Sequence, residues 1–313
     1  MPLRIHAQLP AGMLECNAAE LHDHLGGPTL IHLKGKAEPA LFVSVLLHGN
    51  ETSGWDGVRR YLTETPALPR DLTLFIGNTE AAKAGMRALP TQPDFNRIWR
   101  NAEGQGAALA SAVQSAIADQ TFLASIDLHN NTGHNPYYSV VTDLEPHNLG
   151  LAYLFSDKAV FVEEPDTVLT RVFTGRCPAV ALEVGPVGDP RCADRVYDYV
   201  ARCMSLDVVP ESAPEQFNLF RTRVRVHIRD EVSFRFEGDE EAEDPAPLVL
   251  TGGVEAVNFH ELRRGTVFGA SRLAVDRVFR VLDVNHQDVT DRYFEHDGEA
   301  ILLKEDVVPA MYT

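Results

Sequence analysis

An apolar run that ends in a polar turn stands near the start of the chain: Leu41-Phe42-Val43-Ser44-Val45-Leu46-Leu47, then His48-Gly49-Asn50-Glu51. Both faces of such a strand are largely apolar, which predicts a central strand of an α/β sheet with a layer on either side. Trp55, Val58 and Leu62 then recur at helical spacing, so we expect a helix over 52–62. The polar turn therefore lies between a buried strand and a helix.

Three more strands are predicted at 71–76, 122–128 and 179–184, with an alanine-rich helix over 107–118. Strands that alternate with helical segments favour a sheet that is covered by helices on both faces. Ligands bind such sheets in the crevice beyond the carboxyl ends of the strands. Because polar residues lie at or near the ends of these strands, we expect them to converge on one site.

The composition changes after residue 207, where the segment 208–215 (VVPESAPE) is typical of a linker. Beyond it, alternating segments such as 220–228 and 299–303, separated by Gly and Asp turns, predict short strands. We therefore expect a larger α/β domain over 1–208. A smaller, mostly β domain over 212–313 is expected to cover the site and narrow its entrance.

Charge and composition exclude several classes of partner. The formal net charge is -17, so the chain should repel nucleic acid and anionic membrane surfaces. No apolar run reaches the length of about 18 residues that a membrane span needs, and none near the N-terminus suits a signal peptide. The four cysteines include no Cys-x-x-Cys pair, which favours free thiols and a cytoplasmic location.

Two imidazoles and a carboxylate stand at the predicted strand ends. His48 and Glu51 are three residues apart and can share one metal ion. His129, at the end of a distant strand, can supply the third ligand, and His134 is the alternative. Two histidines and one glutamate leave zinc an open coordination position, as in catalytic rather than structural sites.

The pattern His-x-x-Glu is weak evidence when it is taken alone. In a chain with 12 histidines, about one such pattern is expected by chance. A second occurrence, His296-Asp297-Gly298-Glu299, contains an Asp-Gly pair that is typical of a hairpin turn. We therefore interpret that second occurrence as a turn and not as part of a metal site.

A proline-containing loop carries Asp94-Phe95-Asn96-Arg97. An arginine fork beside an asparagine amide can bind a carboxylate through several hydrogen bonds. The alternative is that Arg97 is a structural loop residue. Asp94 can accept the second ring N–H of a metal-bound histidine and so set its tautomer.

Glu183 lies within an apolar strand, between Ala179-Val180-Ala181-Leu182 and Val184-Gly185. A glutamate in such a run is costly to bury unless it has a partner or a function. One interpretation is a structural ion pair. The other is a general base, and later a general acid, beside a metal-activated water.

Four segments in chain order carry a resemblance: His-x-x-Glu at 48–51, Asp-x-Asn-Arg at 94–97, Asp-Leu-His at 127–129 and Glu-Val-Gly at 183–185. Together they resemble the succinylglutamate desuccinylase/aspartoacylase family, a branch of the zinc carboxypeptidase fold. The resemblance covers about residues 40–190. It implies a zinc carboxypeptidase-like mixed sheet flanked by helices, with the smaller C-terminal β domain added to it.

The resemblance also implies roles for particular residues. One zinc ion per chain would be held by His48, Glu51 and His129, with Glu183 as the catalytic carboxylate. Substrate contacts would come from residues outside the ligand set: Asn96 and Arg97 on one carboxylate, Arg87 on the scissile carbonyl, Arg171 on a second carboxylate, and Tyr312 from the C-terminal domain.

These implications predict a zinc-dependent hydrolase of the amide bond in a small, anionic N-acyl amino acid. A zinc carboxypeptidase or amidase acting on small peptides is the first alternative, and a zinc-dependent binding protein without turnover is the second. The acyl group stays open, because one methylene changes specificity by only about 1–3 kcal/mol. The oligomeric state stays open, with a homodimer as one possibility because such assemblies are frequent among soluble proteins.

Overall fold

The computed structural model describes residues 2–133, 135–238 and 246–311, apart from the side chain of Glu255. The chain forms two compact units. The first contains residues 2–131 and 136–221, and the second contains the described parts of 132–135 and 222–311. The domain limits at 208 and 212 stay predictions. Within the described ranges, no helix has the length and apolar content needed to cross a membrane.

In its described residues, the first unit contains nine strands: β1 (Arg4–His6), β2 (Thr29–Leu33), β3 (Ala40–Val45), β4 (Leu72–Ile76), β5 (Phe122–Asn131), β6 (Tyr138–Val141), β7 (Lys158–Phe161), β8 (Ala179–Pro186) and β9 (Asn218–Arg221). They form one mixed sheet in the order β1-β2-β4-β3-β5-β8-β6-β7-β9. The central strands β4, β3, β5 and β8 run parallel, and β2 and β6 flank them in the opposite direction. The carboxyl ends of β3, β5 and β8 therefore meet at one edge of the sheet.

Helices cover both faces of this sheet: α1 (Leu21–Leu25), α2 (Ser53–Glu64), α3 (Thr79–Lys83), α4 (Gly104–Ala116), α5 (Pro146–Tyr153) and α6 (Arg191–Met204), with short 3-10 helices at Met13–Glu15 and Leu169–Phe173. Alternate residues of β3 enter two different apolar clusters. Val43 and Val45 share one cluster with residues of α2 and α6, whereas Phe42 shares the other with residues of α4. Burial on both faces explains the continuous apolar run, and it confirms the predicted α/β class.

Over the ranges that the structure describes, the second unit contains two small sheets built from β10 (Val224–Ile228), β11 (Phe234–Phe236), β12 (Leu248–Leu250), β13 (Val267–Ser271), β14 (Phe279–Asp283), β15 (Phe294–Asp297) and β16 (Ala300–Leu303). Strand β10 pairs with β14, and the other five form a sheet in the order β11-β12-β13-β16-β15. Helices α7 (Val275–Val278) and α8 (Thr290–Tyr293) and a 3-10 helix at Val254–Val257 complete it. The mostly β character predicted for this region is confirmed.

Two predictions about this unit have different outcomes. Asp297 pairs with Ala300 across a tight turn, which confirms that the second His-x-x-Glu pattern is a hairpin. The prediction of one continuous strand over 220–228 is wrong. Strand β9 ends at Arg221 and pairs with β7, whereas β10 begins at Val224 and pairs with β14. Alternation predicts an extended backbone, but it cannot specify the sheet that each half of the segment joins.

Candidate active site

His48, Glu51 and His129 lie together and are nearly fully buried. Nδ1 of His48 is 2.8 Å from Oε1 of Glu51, and Nδ1 of His129 is 2.8 Å from Oε2 of the same carboxylate. The two Nδ1 atoms are 3.2 Å apart. One ligand atom from each residue lies within 4.8 Å of the others, so the three residues could hold a metal ion. Two imidazoles and one carboxylate suit a divalent transition metal such as zinc.

Neighbouring strands bring these three residues together. His48 and Glu51 belong to the turn between β3 and α2, and His129 belongs to β5, which lies next to β3 and runs parallel to it. Gly49 makes this turn possible, because a Cβ atom there would lie 2.2 Å from the backbone nitrogen of Ala82. The N–H of Gly49 also donates to the carbonyl of Arg87 at 3.0 Å, which joins the turn to the Arg87 loop.

A carboxylate faces the outer nitrogen of each histidine. Nε2 of His48 is 3.1 Å from Oδ1 of Asp94, and Nε2 of His129 is 2.9 Å from Oδ2 of Asp127. Asp127 also accepts a hydrogen bond from the hydroxyl of Ser44. These contacts set the orientation of both rings, with Nδ1 facing the centre of the cluster.

The second of these carboxylates is absent from the sequence-based set of site residues. Asp127 precedes His129 by two residues in the same strand, and residues two apart in a strand project from the same face. An Asp-x-His pair in a predicted strand is therefore a signal that could have identified Asp127 as the partner of His129.

The charges within the cluster are strongly coupled. Burial acts to raise the pKa of Glu51, but the charges and hydrogen bonds of His129 and His48 lower it to about 2. Burial acts to lower the pKa of His129, but Asp127 and Glu51 raise it well above its ordinary value. Burial also opposes ionisation of Asp94, and the hydrogen bond and charge of His48 hold its pKa below the usual range. The cluster therefore pairs carboxylates with a protonated imidazole.

Glu183 lies on β8, directly opposite His129 in the register between β8 and β5. Paired residues of neighbouring strands project from the same face of a sheet, so the two side chains are neighbours. Burial raises the pKa of Glu183 to about 7, with the positive charge of His129 opposing the shift and the negative charge of Glu51 adding to it. Among the described residues, none forms a hydrogen bond or an ion pair with this carboxyl group. A pKa near neutrality suits proton transfer.

Tyr138 lies on the other side of Glu183, since β6 pairs with β8 and places Tyr138 in register with Glu183. The ring is buried. Burial and the negative charges of Glu183 and Glu51 raise the pKa of its hydroxyl well above the ordinary value, so the phenol stays protonated. No motif in the sequence identifies this residue, because only strand pairing brings it to the site.

Arg87 contacts the cluster of His48, Glu51 and His129 through the Glu51 carboxylate. Its Nη1 lies 3.3 Å from Oε1 of Glu51, and its Nη2 lies 3.2 Å from Oδ2 of Asp94. The side chain is 42% exposed, so its guanidinium can contact both the cluster and a ligand from solvent. The guanidinium thus bridges the two carboxylates that flank His48.

Asn96 is buried and directs its amide toward the protein. Nδ2 lies 3.3 Å from Nε2 of His129, and Oδ1 accepts the N–H of Leu169 at 3.1 Å. Arg97 is exposed, and its Nη1 donates to the carbonyl of Asn96 at 2.7 Å. The structure therefore places Asn96 against His129 and Arg97 at the adjoining surface.

Among the described residues, Arg171 makes its contacts away from the cluster. Arg171 lies in the 3-10 helix at Leu169–Phe173 and donates from Nη2 to the carbonyl of Glu163 at 2.8 Å. No hydrogen bond or ion pair in the described parts of the chain joins Arg171 to His48, Glu51 or His129. Tyr312, and His134 as the alternative ligand, lie outside the described residues.

Comparison with known proteins identifies relatives of this fold. The family model for the succinylglutamate desuccinylase/aspartoacylase catalytic domain matches residues 37–204. Among curated proteins, no significant match is found.

Solved structures with a similar fold have low sequence identity to the chain. A putative succinylglutamate desuccinylase/aspartoacylase family protein from Shewanella amazonensis SB2B is 14% identical, with a TM-score of 0.55 over 91% of this chain and 89% of that one. Succinylglutamate desuccinylase from Chromobacterium violaceum is 16% identical, with a TM-score of 0.52 over 86% of each chain. The product-bound ectoine utilization protein EutE (DoeB) from Ruegeria pomeroyi is 13% identical, with a TM-score of 0.53 over 91% and 88%. At these identities the similarity shows the fold alone.

Proposed function

Because the chain belongs to the succinylglutamate desuccinylase/aspartoacylase family, we propose that it hydrolyses the amide bond of a small, anionic N-acyl amino acid with the help of zinc. One observation carries this proposal: Nδ1 of His48, Nδ1 of His129 and the carboxylate of Glu51 converge, with Glu183 in register beside them. His48, Glu51 and His129 would hold one zinc ion per chain. A hydrolase is the class of enzyme that the family supports.

His48, Glu51 and His129 would hold the zinc ion, which would supply a Lewis acid to activate water and polarise the scissile carbonyl. The protein's own contribution begins with orientation. Asp94 and Asp127 lie beside Nε2 of His48 and His129 and would accept the Nε2–H groups, so that Nδ1 of each ring would be the ligand atom. The Asp127 side chain, which would orient His129, is more buried than the Asp94 side chain, which would orient His48.

Glu183 carries the proton in this mechanism. Its carboxylate takes a proton from the attacking water and later gives it to the leaving nitrogen, so that one amide and one water become a carboxylic acid and an amine. The register opposite His129 supports this role, because it puts the two side chains next to each other. A pKa of about 7 allows the group both to accept and to donate the proton at neutral pH.

Positive charge near the cluster would bind the anionic substrate. Arg87 contacts Glu51 and Asp94 and would stabilise the charge that develops on the carbonyl oxygen. Arg97 is an exposed residue whose guanidinium would bind a substrate carboxylate, with Asn96 beside it. Arg171 and Tyr312 stay predictions for the remaining contacts.

Release of free amine tests this function. Zinc-loaded protein is incubated with a panel of N-acyl amino acids that includes N-acetylaspartate and N-succinylglutamate, with and without chelator, and zinc is then restored. We expect chelator-sensitive release from at least one acidic substrate, recovered on addition of zinc. Blocked dipeptides cleaved faster than every acyl amino acid would replace the deacylase by a peptidase. Tight binding of acyl amino acids without turnover would indicate a binding protein.

A further inference from the structure

We propose that Asn130 is a positioning residue. It sets the separation between the turn from β3 to α2 that carries His48 and Glu51, here named the metal-ligand turn, and the strand that carries Glu183. The inference rests on the proposed function, since it takes Glu183 as the proton carrier. Asn130 follows His129 on β5 and is 2% exposed. Its backbone and its side chain together reach the turn after β3 and the end of β8.

The first link runs to the metal-ligand turn. The backbone N–H of Asn130 donates to Oε2 of Glu51 at 3.3 Å. This bond holds the oxygen that also faces Nδ1 of His129. It depends on the backbone alone, so a change of the Asn130 side chain leaves its donor in place.

The second link runs to the start of α2, two residues after Glu51. The N–H of Ser53 donates to Oδ1 of Asn130 at 3.2 Å, and Nδ2 of Asn130 donates to Oγ of Ser53 at 3.0 Å. The first N–H groups of a helix have no partner within the helix. Thr52 makes no side-chain cap here, so Asn130 caps the helix from a neighbouring strand.

The third link runs to β8, two residues after Glu183. Nδ2 of Asn130 donates to the carbonyl of Gly185 at 2.9 Å. The β5–β8 ladder is irregular at this point, because the pairs His129–Glu183 and Asn131–Pro186 advance by two residues on β5 and three on β8. Irregular pairs of this kind bend a strand and re-aim its side chains.

At this irregularity in the ladder, the backbone conformation and the close packing of Gly185 leave no room for a side chain. Its φ is 119°, and a Cβ atom there would lie 2.8 Å from Sγ of Cys192. The Asn130 amide therefore joins two tightly packed segments, and both of its N–H groups and its oxygen are used. In a buried setting such fully satisfied links are rigid, and loss of one partner leaves the others unpaired.

Asn148 on α5 offers a matched control, because its side chain contacts the same strand β8. It is buried, and its Oδ1 accepts the N–H of Ala179 at 2.9 Å, at the opposite end of β8 from Gly185. Asn148→Ala thus removes a buried asparagine contact to the start of β8 without touching the end that carries Glu183. Ser53→Ala is a partial variant that removes only the hydroxyl contact.

The experiment compares Asn130→Ala, Ser53→Ala and Asn148→Ala in the full chain. It measures kcat and KM on the best substrate, zinc affinity by competition with a chromophoric chelator, unfolding by urea, and hydrogen exchange of the zinc-free protein. For Asn130→Ala we expect kcat to fall by about 10- to 100-fold, the usual effect of removing an outer partner. KM and zinc affinity should change less, because the N–H bond to Glu51 remains. Ser53→Ala should lose less activity than Asn130→Ala.

Hydrogen exchange separates this inference from the proposed function. The peptides that contain Ser53 and Gly185 should exchange faster in Asn130→Ala and not in Asn148→Ala, whether or not any substrate is cleaved. If both variants lose activity in proportion to their loss of stability, Asn130 is merely structural. Unchanged exchange at both peptides overturns the inference. A wild-type protein that is inactive on the whole panel refutes the proposed function and leaves the exchange result to decide the role of Asn130.

Discussion

Glu183 and His129 occupy paired positions on adjacent parallel strands, so a carboxyl group and an imidazole project side by side from one face of the sheet. A shift of β8 by one residue would turn Glu183 to the opposite face. The proposed chemistry therefore depends on the register between two segments that are more than 50 residues apart in the chain. Apolar residues of β5 and β8 pack on the helix side and hold this register, among them Ile126, Leu128 and Leu182.

Replacement of the proposed proton carrier should abolish most turnover without removing zinc. Glu183→Gln keeps the size of the side chain but cannot accept a proton from water, so we expect kcat to fall by at least about 100-fold. The zinc content, measured by atomic emission, should stay at one ion per chain. Glu295→Gln, an exposed position on β15, is the matched control and should behave as wild type. Near-wild-type turnover of Glu183→Gln would remove Glu183 from the mechanism.

The two carboxylates that face the histidines should contribute unequally to zinc affinity. Asp127→Asn should weaken zinc binding by about 10- to 100-fold, because an amide does not hold the imidazole in the same tautomer. Asp94→Asn should weaken it less, since the Asp94 side chain is 29% exposed and that of Asp127 is 1% exposed. Competition with a chromophoric chelator measures both affinities. Equal affinities for wild type and Asp127→Asn would contradict the orienting role.

Zinc binding should release protons at neutral pH. The pKa of His129 is raised well above its ordinary value, and a metal ion must displace the proton from Nδ1. We expect release of about one proton per zinc ion at pH 7. Calorimetry in two buffers with different ionisation enthalpies measures this number. Asp127→Asn removes the carboxylate charge that contributes most to the raised pKa of His129, so this variant should release fewer protons per zinc ion. A binding enthalpy that is equal in the two buffers would contradict proton release.

The same raised pKa has a consequence for the stability of chelator-treated protein. A group whose pKa is higher in the folded state stabilises that state fully below its unfolded pKa, which is about 6.5 for histidine. This contribution is lost as the pH rises through the folded value. The His129 contribution to the free energy of unfolding should therefore decrease above pH 6.5. Urea unfolding of wild type and His129→Asn, measured from below pH 6.5 to well above it, isolates the His129 contribution. If the two proteins differ in free energy of unfolding by the same amount at every pH, the raised pKa of His129 is contradicted.

Gly49 should not tolerate a side chain. The Cβ atom of Gly49→Ala would lie 2.2 Å and 2.3 Å from backbone atoms of Ala82 and Ala81, so the metal-ligand turn must move. We expect a loss of about 1–3 kcal/mol in the free energy of unfolding, together with weaker zinc binding. Gly85→Ala is the control, since open space surrounds that position and only its φ of 64° opposes a side chain. Equal losses in the two variants would show that the close approach at Gly49 carries no extra cost.

Much of the first unit could be predicted because its signals are local. The apolar run at β3 and the helix that begins at Ser53 are recognised from periodicity, and the predicted strands at 71–76, 122–128 and 179–184 all occur. The family resemblance rests on the order of short motifs, and the match over residues 37–204 confirms it. The roles of the site residues stay proposals.

Features that depend on pairing could not be predicted in this way. Strand alternation at 220–228 does not show that Arg221 and Val224 belong to different sheets. Nothing near Tyr138 in the sequence indicates that it pairs with Glu183. The link from Asn130 to Gly185 joins residues 55 positions apart.

The amino-acid sequence determined the chemical inventory of the site: which imidazoles and carboxylates exist, and that they stand at the ends of buried strands. Those properties follow from residue identity and from periodicities of two and 3.6, which are set within a few residues. The tertiary structure alone decided which of these groups meet. Sheet order and register arise from packing of apolar faces between distant segments, and they bring Asp127, Glu183 and Asn130 to the same cluster as His48 and Glu51.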